Sequence, residues 1–264
     1  TDLRQAQAQL IQAEKMASLG ELTAGIAHEI QNPLNFVINF SELSNELVDE
    51  MKLQQSEGNY AAVTTLCSDV QQNLEKINLH GKRADAIVKG MLEHSRSGMG
   101  ERRLTDLNAL IEEYIRVCYH GAKAKDKLFD LAIQTDFDPH LGEVNIITQD
   151  IGKVIFNILT NAFYAVQEKK QRQGTSYSPV VAITTRRVGD NVEIRISDNG
   201  TGIPDAIRDK IFQPFFTTKP TGQGTGLGLS LSYDIITRGN GGNLTVNSVE
   251  GEGSEFVVQF PLTL

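Results

Sequence analysis

The stretch MASLGELTAGIAHEIQNPL, residues 16–34, carries two seven-residue repeats at once. Ala17 and Ala24 extend a repeat begun at Leu3 and Leu10, while Gly20 and Ala27 extend a second one begun at Ala6 and Ala13. Small or apolar residues at both a and d positions predict a long helix packed closely against another. On this register His28 falls at an e position, beside the seam and open to solvent. Glu29 follows it, and Asn32, four residues on, shares its helix face. Pro33 removes a backbone donor and crowds a carbonyl of the preceding turn, so a bend is expected there. A lone histidine is ordinarily a satisfied core or surface residue. Here the register argues against burial, and a carboxylate and an amide accompany it at helical spacing. His28, Glu29 and Asn32 are therefore the candidate catalytic group.

Downstream, the apolar set continues through Leu34, Val37, Ile38, Leu47, Val48 and Met51, then stops at the polar run 54–59. It resumes through Val63, Leu66, Val70, Leu74, Ile77, Ala84, Val88 and Met91, spaced by threes and fours. Two helices about a polar turn make an antiparallel hairpin. One hairpin buries too little by itself, so a homodimer forming a four-helix bundle is expected. The run SRSGMG at 95–100 reads as a linker, which gives a helical domain at 1–98 and a second domain at 102–264.

The second domain reads as mixed α/β. A helix is expected over 107–121, with Asp106 or Asn108 as its cap, a strand within 128–137, and a strong helix over 149–168. Strands 180–188 and 191–197 form a hairpin across Gly189 and Asp190, with Val192, Ile194 and Ile196 alternating against polar neighbours. A glycine-rich segment, a helix over 226–237 and a hairpin pairing 244–249 with 255–260 complete the chain.

With 264 residues and a net charge of −8, the chain has no sustained Lys/Arg stripe, which argues against a nucleic-acid partner. No apolar run approaches the roughly 20 residues that span a bilayer, and no signal peptide pattern opens the sequence. No direct membrane contact by this segment and a cytoplasmic location are expected. Cys67 and Cys118 lie far apart without metal spacing, as reduced thiols would. Because the chain opens inside an apparent helix, an upstream sensor domain is expected outside it.

Three segments of the second domain carry chemistry. Asn157 and Asn161 lie four apart in IFNILTNA (155–162), on one helix face among apolar residues. An amide oxygen is a hard neutral ligand suited to Mg²⁺, which keeps waters and substrate phosphates about it. DNGTGIP (198–204) follows a predicted strand: Asp198 can accept an amino hydrogen from a purine, and Gly200 and Gly202, with Ile203 beside them, allow close backbone approach. GQGTGLGLS (222–230) runs into a helix, and exposed amides there can cradle phosphate. It matches neither a Walker A loop nor a dinucleotide fingerprint, so a glycine-rich lid is the alternative, with Phe212, Phe215, Phe216 and Lys219 as its apolar anchor and charge.

These motifs together resemble the transmitter region of a sensor histidine kinase over essentially the whole chain. HEIQNPL (28–34) resembles its H-box, 157–165 its N-box, 198–202 its G1 box, 211–219 its F-box and 224–228 its G2 box. GEGSEF (251–256), with Ser254 in place of the usual threonine, resembles the closing G-x-G-T-x-F element. Tyr164 and Gln31 also depart from common basic residues. The resemblance implies a dimerisation and histidine-phosphotransfer domain followed by a Bergerat-type ATP-binding domain, an α/β sandwich. It implies ATP as substrate, Mg²⁺ on Asn161 supported by Asn157, and Asp198 reading the adenine amino group. Gly224, Gly226 and Gly228 then line the phosphates under a mobile lid, and Lys219, Thr225, Leu227 and Ser254 count with them as nucleotide-binding. The expected activity is autophosphorylation of His28 and transfer to an aspartate of a response regulator receiver domain, with Asn32 serving the reverse dephosphorylation. The alternatives are a Bergerat-fold ATPase, disfavoured because Asn157 stands where such enzymes carry a water-activating glutamate, and a nucleotide-binding dimeric scaffold without phosphotransfer.

Overall fold

The computed structural model describes the backbone of residues 2–96, 100–220 and 224–262, and the side chains of 27–92, 100–220 and 224–262. The side chains of the heptad positions up to Ala24, most of the expected linker, and Gly222 and Gln223 fall outside the described residues. Two compact units emerge: Thr1–Ser95 with Thr217–Thr225, and Arg96–Phe216 with Gly226–Leu264.

The helical unit is a hairpin of α1 (Asp2–Ser56) and α2 (Tyr60–Arg96). Pro33 is buried within α1, whose helical backbone continues past it. The polar run ends the helix where expected, and Gly58 takes a left-handed conformation (φ 74°), a cost-free C-terminal stop only for glycine. Asn59 then caps α2, its side chain accepting from the Ala62 N–H at 3.3 Å. Cross-helix contacts run backwards along α2 as they advance along α1. Glu29 meets Arg83, the Phe36 ring stacks on His80 at 4.5 Å, and Lys76 Nζ lies 4.8 Å from the centroid of Phe40. The hairpin is therefore antiparallel. It leaves Leu34, Phe36, Ile38, Leu43, Leu74 and Leu92 exposed, more apolar surface than one hairpin can cover.

The second unit opens with β1 (Arg103–Asp106), followed by α3 (Leu107–Lys125), β2 (Ala132–Asp136), β3 (Glu143–Ile146) and α4 (Thr148–Gln173). There follow β4 (Val180–Val188), β5 (Asn191–Asp198), α5 (Asp205–Arg208), α6 (Gly228–Asp234), a π turn at Ile235–Gly239, β6 (Asn243–Val249) and β7 (Gly253–Pro261). The main sheet has the order β2-β4-β5-β7-β6, parallel only at β2-β4, and a separate ribbon pairs β1 with β3. Alternation puts Val181, Ile183, Val192, Ile194, Ile196, Phe256, Val258 and Phe260 into the core. The apolar stripe of α4, from Ile151 through Ile155, Ile158, Leu159 and Ala162 to Val166, joins the same cluster. A helical hairpin followed by an α/β layered domain is what the sequence predicted.

One alternative is settled and two local details differ. Asp106, not Asn108, caps α3, accepting from the Ala109 N–H at 3.1 Å; Asn108 instead accepts from Thr185 Oγ1 and donates to the Asp138 carbonyl. The β1–β3 ribbon is additional, four residues a side. The helix expected over 226–237 starts at Gly228, because Gly226 takes a left-handed φ of 68°. It ends in the wider π turn, where Asn240 donates to the Ile235 carbonyl and the Gly242 N–H to that of Ile236.

Candidate functional site

In the helical unit His28 is exposed on α1, as its register requires, and Asn32 lies one turn on with Nδ2 3.3 Å from the ring Nδ1. The shared face is thus a direct contact. Glu29, adjacent in sequence, points elsewhere: one residue turns a helix by about 100°. Its carboxylate lies 3.6 Å from Arg83 of α2, both side chains more than a quarter exposed. An ion pair this long and wet contributes about 1 kcal/mol at most and is readily exchanged. Arg83 had no signal in the sequence, since its meaning depends on the hairpin pairing.

In the α/β unit, Asp198 ends β5 and faces Ser254 across the β5–β7 pairing. Its Oδ1 accepts from the Gly200 N–H at 2.8 Å. The turn beyond it is sterically exact. An added Cβ would meet Ala165 at 2.7 Å from Gly200, the Val249 carbonyl from Gly202 (φ 66°), and the Asp198 carbonyl from Gly253 (φ 147°). Ile203 donates from its N–H to Ser248 Oγ at 2.8 Å, and Ser248 Oγ lies 3.0 Å from that of Ser254. Asp198, Gly200, Gly202, Ile203 and Ser254 are therefore gathered around one turn, against the β6–β7 hairpin.

Burial pushes the Asp198 carboxyl up to about 6, opposed by hydrogen bonds from the Gly200 and Ser254 backbone and by the nearby charge of Lys169. A folded pKa above the ordinary carboxylate value means the folded state binds the proton more tightly than the unfolded chain. This group's contribution to stability is therefore present at low pH and is lost as pH rises through the window up to about 6. A carbon-detected NMR titration of the Asp198 carboxyl in the nucleotide-free chain is expected to show a midpoint near 6. A midpoint near 4, the value of an exposed carboxylate, would show that the site does not bury this group.

On α4, Asn157 donates through Nδ2 to the Gly228 carbonyl at 3.0 Å and to Ser232 Oγ at 3.2 Å. It anchors the start of α6. Glycine is required opposite it, since a Cβ on Gly228 would come 3.2 Å from the Asn157 amide carbon. Asn161, one turn further along α4, is half-buried. Among the described residues no cluster of three His, Cys, Asp or Glu is placed to hold a metal. A single amide donor suits Mg²⁺, which takes few protein ligands and otherwise keeps water and phosphate oxygens.

The segment before α6 carries backbone strain. Phe215 adopts φ 67°, the one non-glycine residue with positive φ among those described. A Cβ on Gly226 would collide with the Phe215 backbone, so the two residues flanking the stretch 216–225 pass each other closely. Phe212 packs on Tyr233 of α6, ring centroids 5.3 Å apart. Within that stretch Gly224 lies against the Thr217 and Lys219 side chains, and Lys219 donates its backbone N–H to Thr217 Oγ1. Thr225 and the buried Leu227 complete the set.

Comparison with known proteins supports both units. Residues 18–100 match the family model for the His Kinase A (phospho-acceptor) domain. Residues 147–264 match that for the histidine kinase-, DNA gyrase B- and HSP90-like ATPase. The signal transduction histidine-protein kinase AtoS of Escherichia coli (strain K12) is 31% identical over 99% of this chain and 38% of its own length. The chain spans between about a quarter and a half of the curated relatives it matches. Among solved structures, the catalytic domain of histidine kinase ThkA is 29% identical, with TM-score 0.51 over 62% of this chain and 97% of that one. ThkA in complex with the response regulator protein TrrA shares the fold over 100% of this chain and 67% of that one, at 24% identity and TM-score 0.60. No helix among the described residues is long and apolar enough to cross a membrane.

Proposed function

The chain is a histidine kinase transmitter region, a phospho-acceptor domain followed by an ATPase domain of the histidine kinase type, and from that premise we propose that it phosphorylates its own His28 from ATP. The observation that carries this reading is an exposed histidine, followed by Glu29 and sharing its helix face with Asn32, in a chain that also holds the glycine turn around the buried carboxyl of Asp198. Neutral imidazole is a competent nucleophile near pH 7. Attack through Nε2 requires the hydrogen on Nδ1 and an acceptor beside it, whereas the Asn32 amide Nδ2 now against Nδ1 is a donor, so that contact gives way first. Glu29 takes the acceptor's part by leaving its loose pairing with Arg83 and turning to the ring. The Nε2–P bond forms as the bond between the γ-phosphorus and the β-phosphate oxygen breaks, ADP departs, and the Nδ1 proton passes to Glu29.

Asp198 accepts from the adenine amino group, with Gly200, Gly202, Ile203 and Ser254 shaping the turn beneath the base. Gly224, Thr225, Gly226, Leu227 and Gly228 offer backbone groups to the triphosphate, and Lys219 a charge. Asn161 would hold Mg²⁺, which would supply charge neutralisation at the phosphates, and Asn157 fixes α6 beside it. Asn157 is an amide already donating to Gly228 and Ser232, unable to take a proton from water, which favours histidine phosphorylation over ATP hydrolysis. The exposed apolar residues of the hairpin support a homodimeric four-helix bundle. The likeness to a kinase solved with its response regulator supports a receiver-domain aspartate as next acceptor, with Asn32 orienting water for the reverse step. The domain boundaries at 98 and 102 and a cytoplasmic setting, within a longer protein carrying its sensor elsewhere, belong to the same proposal.

Incubation with γ-labelled ATP and Mg²⁺ is expected to label the chain with phosphate that survives alkali and is lost in acid, and chelation of Mg²⁺ should abolish it. Steady release of inorganic phosphate with no labelled protein would instead establish a hydrolase.

A further inference from the structure

Lys169 lies on α4 about two turns beyond Asn161. Its ammonium serves two backbone carbonyls, that of Asn199 at 2.7 Å and that of Gly251 at 2.9 Å. Asn199 immediately follows Asp198; Gly251, with φ 82°, is the turn of the β6–β7 hairpin. The Gly251 N–H also donates to the Thr201 carbonyl at 2.7 Å, so the two turns are joined by backbone and by Lys169. From a third direction, the buried Tyr177 hydroxyl donates to Asn199, 2.6 Å from Oδ1 and 3.0 Å from its carbonyl. Lys169 Nζ lies 5.0 Å from the centroid of that ring, a cation over an aromatic face. The Asn199 side chain is engaged at both ends, accepting from the Val180 N–H and donating to the Ser178 carbonyl, each at 2.9 Å.

We propose that Lys169, acting with Tyr177 through Asn199, is a positioning residue for recognition of the adenine base, clamping the Asp198 turn to the β6–β7 hairpin. The proposal rests on the reading that Asp198 accepts from the adenine amino group. A carboxylate selects a purine amino group only if its position is fixed to about 0.5 Å and its rotation to about 10–20°. No residue of the 198–202 turn supplies that rigidity alone, since the turn is rich in glycine. Lys169 supplies it from α4, a long helix whose apolar stripe is fixed in the core. Its charge also helps keep Asp198 ionised; the other groups facing that carboxyl are the Tyr177 phenol and the backbone of Gly200 and Ser254.

Because the clamp acts at the base, its loss is felt by adenine nucleotides and not by the phosphate end. The experiment measures ADP and GDP dissociation constants for the full 264-residue chain, unaltered and as Lys169→Met, Lys169→Arg, Tyr177→Phe and Asp198→Asn. Lys169→Met is expected to weaken ADP about tenfold while GDP changes less than twofold, and Lys169→Arg, which keeps charge and donors, to recover most of the loss. The pH midpoint of ADP binding should rise in Lys169→Met. Tyr177→Phe should weaken ADP about threefold, and it decides the matter if the methionine variant does not fold. Lys169→Met with wild-type ADP affinity and ADP/GDP ratio, beside an Asp198→Asn chain that has lost ADP, overturns the clamp. An Asp198→Asn chain that still prefers ADP overturns the adenine reading and the clamp with it.

Discussion

A His28→Ala chain given γ-labelled ATP is expected to incorporate no acid-labile phosphate above background, while its ADP affinity stays within about twofold of the unaltered chain. The first half follows from the chemistry: the ring nitrogen is the atom to which the phosphoryl group bonds, so its removal leaves no acceptor. The second follows from placement. His28 is exposed on α1, and its Nδ1 contact is with Asn32 of the same helix. Substitution at such a surface position costs about 0.5 kcal/mol or less, roughly a factor of two in any equilibrium. Undiminished labelling would sink the His28 assignment.

Replacement of Asp198 by asparagine is expected to weaken ATP binding by about a hundredfold without lowering the melting temperature. A hydrogen bond to a charged group is worth about 1.5–3 kcal/mol, and an amide nitrogen turned toward an amino group adds a donor facing a donor. The fold responds in the opposite sense. Burial raises the Asp198 carboxyl to about 6, so at neutral pH the folded chain pays for keeping it ionised, and a neutral amide of the same shape removes that cost. Loss of affinity with unchanged or higher thermal stability is the signature of a recognition group. Calorimetric titration together with a thermal melt reads both. Equal loss of affinity and stability would make Asp198 a structural residue of the β5 end instead.

The elements legible in the sequence were those whose periodicity is local. β5 could be read because Val192, Ile194 and Ile196 alternate into the core, and α4 because its apolar stripe recurs through Ile151, Ile155 and Ile158. The β1–β3 ribbon was not, because four residues a side are too few to establish a period. The end of α6 was misplaced because its boundary is set by Asn240, whose side chain reaches back to the Ile235 carbonyl. The site divides in the same way. The asparagine pair and the glycine-rich turns were visible as spacing, and the glycines at 200, 202 and 226 proved to be demanded by steric contacts. The partner of Glu29 was invisible: Arg83 reaches it only because the hairpin is antiparallel. Lys169 and Tyr177 were likewise silent, since their role lies in backbone carbonyls that only the folded chain brings within reach.

The most direct measurement is the location of the transferred phosphoryl group by mass spectrometry on peptides kept at alkaline pH, after reaction of the unaltered chain with ATP and Mg²⁺. The expected result is one phosphoryl group on the peptide containing His28, fragmenting to place it on that ring. Phosphate on serine, threonine or another histidine, with the His28 peptide unmodified while labelling proceeds, would contradict His28 as the acceptor.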